Sequence, residues 1–286
     1  MSRSGLDIIR ATWLILAALA ASSARSAVVG EDDRRPLDEF AARHNDPENF
    51  KRRLSGTQEL RCLNGSRSSA TLVERADIVV VAAHTLFRVH GQEAYDLRTC
   101  FVYVARDHGE DRHEIDPDSL VLGRFGALGR TQFDPEDWAV VRLKQPIAGI
   151  RPYRLLKDYV GSAVLGQPVV LVTGPQQDKR DDKKPLRLAH RCRLLVQFAT
   201  RTEIEWFKTD CDARLGSSGG SLLLNVEEDP PTFVGLQVYS SPRDGSCADY
   251  HRERCSSIAV GPRLRLVEAV RRLAQAAPRP IGPAPR

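Results

Sequence analysis

Ser218 lies in Gly216-Ser217-Ser218-Gly219-Gly220, between the polar Cys211–Leu215 stretch and the apolar Leu222–Leu224 run. A serine hydroxyl is a weak nucleophile until a histidine takes its proton and a carboxylate holds that histidine in one tautomer. The chain supplies both upstream: the apolar run Ile78–Ala83 ends at His84, and Asp137 opens Asp137-Trp138-Ala139-Val140-Val141-Arg142-Leu143. Together they suit acyl transfer, with Ser218 forming the covalent bond, His84 moving the proton and Asp137 orienting the ring. Glycine at 216 frees the backbone to turn the amides of Gly216 and Ser218 toward a developing oxyanion. Each piece alone has a plain reading, as a flexible turn, a packed histidine or a turn aspartate. Their joint occurrence at strand ends, in the order His, Asp, Ser, favours catalysis.

These residues need rigid elements to hold them. From Cys62 onward short apolar runs alternate with polar turns: 70–73, 78–83, 100–105, 119–122, 138–143, 169–173, 193–198, 203–207, 221–225 and 232–239. Many short strands without a long intervening helix predict an all-β barrel or sandwich. Residues 152–166 carry little strand signal and read as a linker. This divides the chain into a first β unit at 61–151, with His84 and Asp137, and a second at 167–261, with Ser218. Leu266, Val270 and Leu273 fall on one face of a helix expected at 262–276, which should lie as a lid on the second unit. Residues 25–60 read as an N-terminal extension, propeptide or short helices, and the proline-rich 277–286 as a solvated tail.

Residues 1–24 have the form of a secretory signal: Arg3 and Arg10, an apolar Ala11–Ala21, then Ser22-Ser23-Ala24. The apolar stretch is well short of the roughly 20 residues that span a bilayer, so no membrane association is expected after its removal. The six cysteines all follow the signal, and an even count in an exported chain reads as disulfides rather than zinc ligands. Fifteen pairings are possible in principle. The spacing favours Cys247 with Cys255 and Cys192 with Cys211, leaving Cys62 with Cys100. The net charge of +5, or +4 without Arg3, Asp7 and Arg10, is too small and too dispersed for a nucleic-acid partner. The segment 108–114 concentrates acids and histidines but lacks a metal-ligand spacing, and reads as a hydrated loop. Neither a metal nor a cofactor is expected.

Val79-Val80-Val81-Ala82-Ala83-His84, the Asp137–Leu143 strand and Gly216-Ser217-Ser218-Gly219-Gly220 together resemble the three active-site segments of trypsin-like serine proteases. The resemblance covers most of Cys62–Leu273. It implies two six-stranded antiparallel β-barrels with the active site between them, and a secreted or periplasmic endopeptidase, monomeric, acting on protein or peptide substrates. Cys211-Asp212 ahead of the serine loop, with Val29-Gly30-Glu31-Asp32-Asp33-Arg34, is similar to the bacterial glutamyl-endopeptidase-like branch. The substrate pocket is then expected at Asp212, Ala213, Gln237, Val238 and Tyr239.

The departures from that pattern are specific. Ser217 stands where animal trypsins carry the acid that pairs with a freed N-terminal amine, so activation by that ion pair is not expected. Thr85 replaces the cysteine that usually follows the histidine. Gln237 replaces the histidine of glutamyl endopeptidases, and a neutral amide does not supply charge for a glutamate side chain. Asp212, six residues before Ser218, stands where trypsins place the acid that selects Lys or Arg, which implies a weak basic preference. The competing expectation is a binding protein on the same scaffold, with little or no turnover.

Overall fold

The apolar runs become strands because both of their faces are buried. In Ile78–Val81, Val79 and Val81 point into one core while Ile78 and Val80 point into a second cluster outside it. Val141 and Leu143 alternate with Val140 in the same way, as do Val169 and Leu171 with Val170 and Val172. A period of two with apolar residues at every position is the mark of a strand covered on both sides.

The computed structural model describes residues 27–63, 65–87, 95–106, 109–124, 134–156, 165–178, 181–199, 204–214, 216–241, 245–247, 250–251 and 254–276. The expected signal at 1–24 and tail at 277–286 lie outside these, as does part of the expected linker. The chain starts with β1 (Ala27–Val29), β2 (Arg35–Pro36) and two short helices, α1 (Leu37–Ala41) and α2 (Pro47–Arg53). Pro47 opens α2 behind Asp46, whose side chain accepts from the Asn49 amide.

Six strands then close a barrel: β3 (Thr57–Cys62), β4 (Arg67–Leu72), β5 (Ile78–Val81), β6 (Cys100–Arg106), β7 (Gly109–Leu122) and β8 (Ala139–Leu143). Their ring order is β3-β4-β5-β8-β7-β6, and β6 returns to β3. A two-residue β9 (Arg154–Leu155) precedes the second set: β10 (Pro168–Asp178), β11 (Asp181–Ala199), β12 (Ile204–Thr209), β13 (Ser221–Leu224), β14 (Thr232–Ser241), the short β15 (Gly245–Cys247) and β16 (Ser256–Val260). Here the ring runs β10-β13-β14-β16-β12-β11 and closes by the β10–β11 pairing. The molecule is thus two six-stranded antiparallel barrels followed by a helix, α3 (Leu264–Gln275).

Disulfides join Cys62 to Cys100, directly opposite in register on β3 and β6, Cys192 to Cys211, and Cys247 to Cys255. The ten expected runs all fall on barrel strands. Two more barrel strands, β3 and β16, carried no recognised signal, and β3 starts inside the stretch read as an extension. Thr57, Gln58 and Glu59 are polar, yet buried. Gln58 donates to the Ser55 carbonyl, and Glu59 takes Arg61 and Arg67 as ion-pair partners, so burial leaves their charge and polarity matched.

The final helix corrects a second expectation. Leu266, Val270 and Leu273 are its buried face as foreseen, but it docks on β5 and β8 of the first barrel rather than as a lid on the second. The outward residues Ile78, Val80, Trp138 and Val140 form the apolar surface that receives it. Arg75 and Arg142 of that barrel donate to the carbonyls of Ala274 and Ala276 at 2.6 and 2.9 Å, satisfying the exposed end of the helix.

Candidate active site

Pairing of β5 with β8 aligns Val81 with Ala139, so the end of β5 and the start of β8 meet at one rim of the first barrel. His84 follows on a single 3₁₀ turn, Ala83–Leu86, tied by the Thr85 hydroxyl donating to the Ala82 carbonyl at 2.6 Å. Thr85, where a cysteine was the usual residue, thus secures the turn by a hydrogen bond. Asp137 precedes β8 and is nearly buried. One of its oxygens accepts the His84 amide at 2.8 Å and the other lies 2.7 Å from His84 Nδ1, which fixes the ring both through the backbone and at its own nitrogen.

His84 Nε2 lies 3.0 Å from Ser218 Oγ, across the junction from the second barrel. Burial by itself would lower the imidazole pKa, but the charge and hydrogen bond of Asp137 outweigh it and hold the ring above its ordinary value. The arrangement has the connectivity required to move a proton from a serine hydroxyl onto an oriented imidazole.

The serine loop is clamped by strand β4 of the opposite barrel. The Ser69 amide donates to the Ser218 carbonyl at 2.7 Å, the Ser69 hydroxyl to the Gly216 carbonyl at 3.0 Å, and the Thr71 hydroxyl to the Gly219 carbonyl at 2.9 Å. The Ser69 hydroxyl also accepts the Gly174 amide at 2.8 Å. Behind it a buried chain of hydroxyls runs Thr71, Ser221, Thr57, Tyr153 and ends on the Leu54 carbonyl. Gly216 and Gly219 have φ of +92° and +83°, and a Cβ at Gly219 would sit 2.0 Å from the Ser69 carbonyl oxygen. Among the described residues no acceptor engages the Gly216 or Ser218 amide, so both donors are available to a ligand.

The expected pocket residues are gathered beside this loop, mostly inward. Asp212, Ala213, Gln237 and Val238 are buried and Tyr239 is half-buried. Asp212 Oδ1 accepts the Val29 amide at 2.8 Å, while its Oδ2 is buried with no hydrogen-bond partner among the described residues. Burial raises its pKa above the usual aspartate value, and the Val29 bond opposes that shift. Gln237 donates to the Tyr239 carbonyl, and its backbone brackets the serine loop, accepting from Gly219 and donating to Gly220. Ser217 is buried, and its hydroxyl accepts the Arg214 amide at 2.8 Å.

Two clusters invite a metal and are explained otherwise. Cys192 and Cys211 beside His190 are bonded to each other. In the group Asp33, His190 and Asp212, His190 Nε2 accepts the Asp212 amide at 3.1 Å, which leaves the ring proton on Nδ1, beside the Asp33 carboxylate. A cation at Nδ1 would displace that proton. In the expected hydrated segment, His108 lies outside the described residues, and Glu110, Asp111 and Glu114 pair with Arg61, Arg106 and Lys144 on a β-hairpin.

Sequence reasoning did not find Ser69, Thr71, Asp32 or Arg214. The first two are small polar residues in a buried strand, a pattern that asks for partners without identifying them. Asp32 and Arg214 belong to segments that only the fold brings together.

No protein-family model matches the sequence, and no curated protein matches it significantly. The structure is similar to that of a Glu endopeptidase solved in complex with MPD, with a TM-score of 0.58 and 14% identity over 87% of this chain and 100% of that one. It is also similar to the scabies mite inactivated protease paralogue S-I1, with a TM-score of 0.55 and 14% identity over 78% of this chain and 96% of that one. The chain has the chymotrypsin-type protease fold.

Proposed function

We propose that the chain is an exported serine endopeptidase. The observation that carries this reading is the unbroken contact from Ser218 Oγ to His84 Nε2 and from His84 Nδ1 to Asp137. Ser218 Oγ attacks a peptide carbonyl carbon while His84 Nε2 takes its proton, and the carbonyl oxygen, now negative, receives the Gly216 and Ser218 amides. Collapse of the tetrahedral species breaks the C–N bond, and the amine leaves with the proton held by His84. Water then enters by the same route in reverse, His84 accepting its proton, and Ser218 is released as the hydroxyl. Asp137 remains a carboxylate throughout and stabilises the imidazolium.

Three disulfides support an oxidising destination, and among the described residues no helix is long and apolar enough to cross a membrane. Substrates on this reading are extended peptide segments lying in the junction between the barrels. Asp212 Oδ2, buried and unpartnered, is the atom that would receive a Lys or Arg side chain.

The test is active-site labelling by a fluorophosphonate, with Ser218→Ala as control, alongside digestion of a denatured protein. Labelling and digestion that both vanish in Ser218→Ala are expected. A chain that is neither labelled nor active, after the mature N-terminus is established by intact mass, fits the second reading: a binding protein on this scaffold. The neighbouring fold described as an inactivated protease paralogue gives that reading its footing.

A further inference from the structure

The oxyanion loop is held from a segment far away in sequence. Residues 28–36 cross the second barrel and are pinned along their length. The Gly30 amide donates to Cys247, the Val29 amide to Asp212, Asp33 meets His190, and Arg35 and Pro36 pair with β11. In the middle of this segment the Asp32 carboxylate is gripped by the Arg34 fork, Nε at 2.8 Å and Nη2 at 2.6 Å. Its Oδ2 also accepts Arg214 Nη2 at 2.8 Å.

Arg34 is buried and the Asp32 and Arg214 side chains are only 21% and 28% exposed, so this charge triad is screened less than a surface pair. Asp32 remains ionised: burial opposes its charge, but the hydrogen bond and charge of Arg34 and the charge of Arg214 hold its pKa below the usual aspartate value.

Arg214 is tied twice to the nucleophile loop. Its amide donates to the Ser217 hydroxyl and its carbonyl accepts the Ser217 amide, each at 2.8 Å. The turn so closed contains Gly216 and leads directly to Ser218, the two residues whose amides face the substrate oxygen on the protease reading. Ser217 has no charge with which to anchor an ammonium group. Asp32 is thus fixed within its own segment, and Arg214 carries that hold to Ser217.

We propose that Asp32 is a positioning residue for the oxyanion loop, acting through Arg214, and that residues 28–36 are a working part of the active site rather than a discarded leader. This rests on the serine-protease reading. It assigns to a side-chain ion pair the ordering of donors whose individual removal in such enzymes costs about 10²–10³ in kcat.

The experiment compares kcat and KM on one peptide amide for wild type, Asp32→Asn, Asp32→Glu, Arg214→Gln and Asp32→Asn/Arg214→Gln, with Ser218→Ala as the blank and a melting curve for each. Asp32→Asn and Arg214→Gln should each lower kcat about tenfold or more with KM within about twofold, and the double variant should be no worse than the poorer single. Asp32→Glu, which keeps the charge, should recover part of the loss. Should Asp32→Asn not fold, Asp32→Glu serves instead, with the same kcat loss against an unchanged KM expected at smaller size. Ser218-dependent turnover with kcat unchanged in Asp32→Asn, or losses that multiply in the double variant, would overturn the inference alone. A wild type without Ser218-dependent turnover would overturn the protease reading, and this inference with it.

Discussion

The hydroxyl of Ser69, on the first barrel, donates to the carbonyl of Gly216, on the second, and accepts the Gly174 amide from the second as well. One buried side chain thereby joins the barrel that carries His84 to the loop that carries Ser218. Ser69→Ala leaves the half-buried Gly216 carbonyl and the buried Gly174 amide without that partner, at about 1–3 kcal/mol for the buried group left unsatisfied. The expected outcome is a lower melting temperature together with a roughly tenfold fall in kcat and little change in KM, since the loop that drifts is the one facing the transition state. Steady-state kinetics and a melting curve check it, and an unchanged kcat would remove Ser69 from the active-site account.

The pH profile follows from His84. Only the neutral ring accepts a proton, and Asp137 keeps the ring charged to a higher pH than the usual 6.5. The acid limb of kcat/KM should therefore lie above that value and move down in Asp137→Asn. That variant should also lose activity on the order of 10⁴, the loss seen when a triad carboxylate is so replaced. A limb at or below the ordinary histidine value would contradict the geometry.

Asp212 predicts a second, separable pH effect. Its folded pKa is raised above 3.8, so the carboxylate gains its charge as the pH rises through a higher value than that of a free aspartate. The ratio of kcat/KM for an Arg-containing over a Leu-containing peptide cancels His84 and should increase across that range. Asp212→Ala should flatten it. Equal rates for both peptides at every pH would end the case for a basic preference.

Gly219 tolerates no side chain. Its φ of +83° is closed to most residues, and a Cβ would overlap the Ser69 carbonyl oxygen at 2.0 Å, backbone against backbone. Gly219→Ala should destabilise the fold by more than about 2 kcal/mol and abolish fluorophosphonate labelling of the fraction that folds. Intact labelling in a stable Gly219→Ala protein would mean that the junction is looser than the contacts imply.

The proposed triad residues were legible because each sits next to a short, almost continuously apolar run: Ile78–Val81 before His84, Ala139–Leu143 after Asp137, Ser221–Leu224 after Ser218. β3 was not, because Thr57, Gln58 and Glu59 are buried through hydrogen bonds and ion pairs, and polar residues with distant partners look like surface in a one-dimensional reading. The same blindness hid Asp32 and Arg214, 182 residues apart. Helix α3 shows the complementary limit. Its apolar face was evident, but its docking surface is the outer side of β5 and β8, and an amphipathic pattern says that a partner exists without saying which one.

The two ends of the described chain are exchanged between the barrels. Residues 27–36 pair β2 with β11 of the second barrel and β1 with the short β15 that follows β14, whereas α3, which follows that barrel, seals the first. A ribosome delivers these pieces in the least convenient order. The first barrel emerges with Ile78, Val80 and Val140 uncovered until residues 264–275 follow, and the opening segment must wait for β11 and β15 before it has anything to pair with. Neither half can be completed alone, so severing the chain at 157–164 would yield two incomplete pieces rather than two small proteins. Contacts distant in sequence dominate the native structure, and folds of that kind form slowly. On the proposed reading as an exported protein that delay is an asset, because a polypeptide unable to finish folding early stays threadable until it has crossed the membrane.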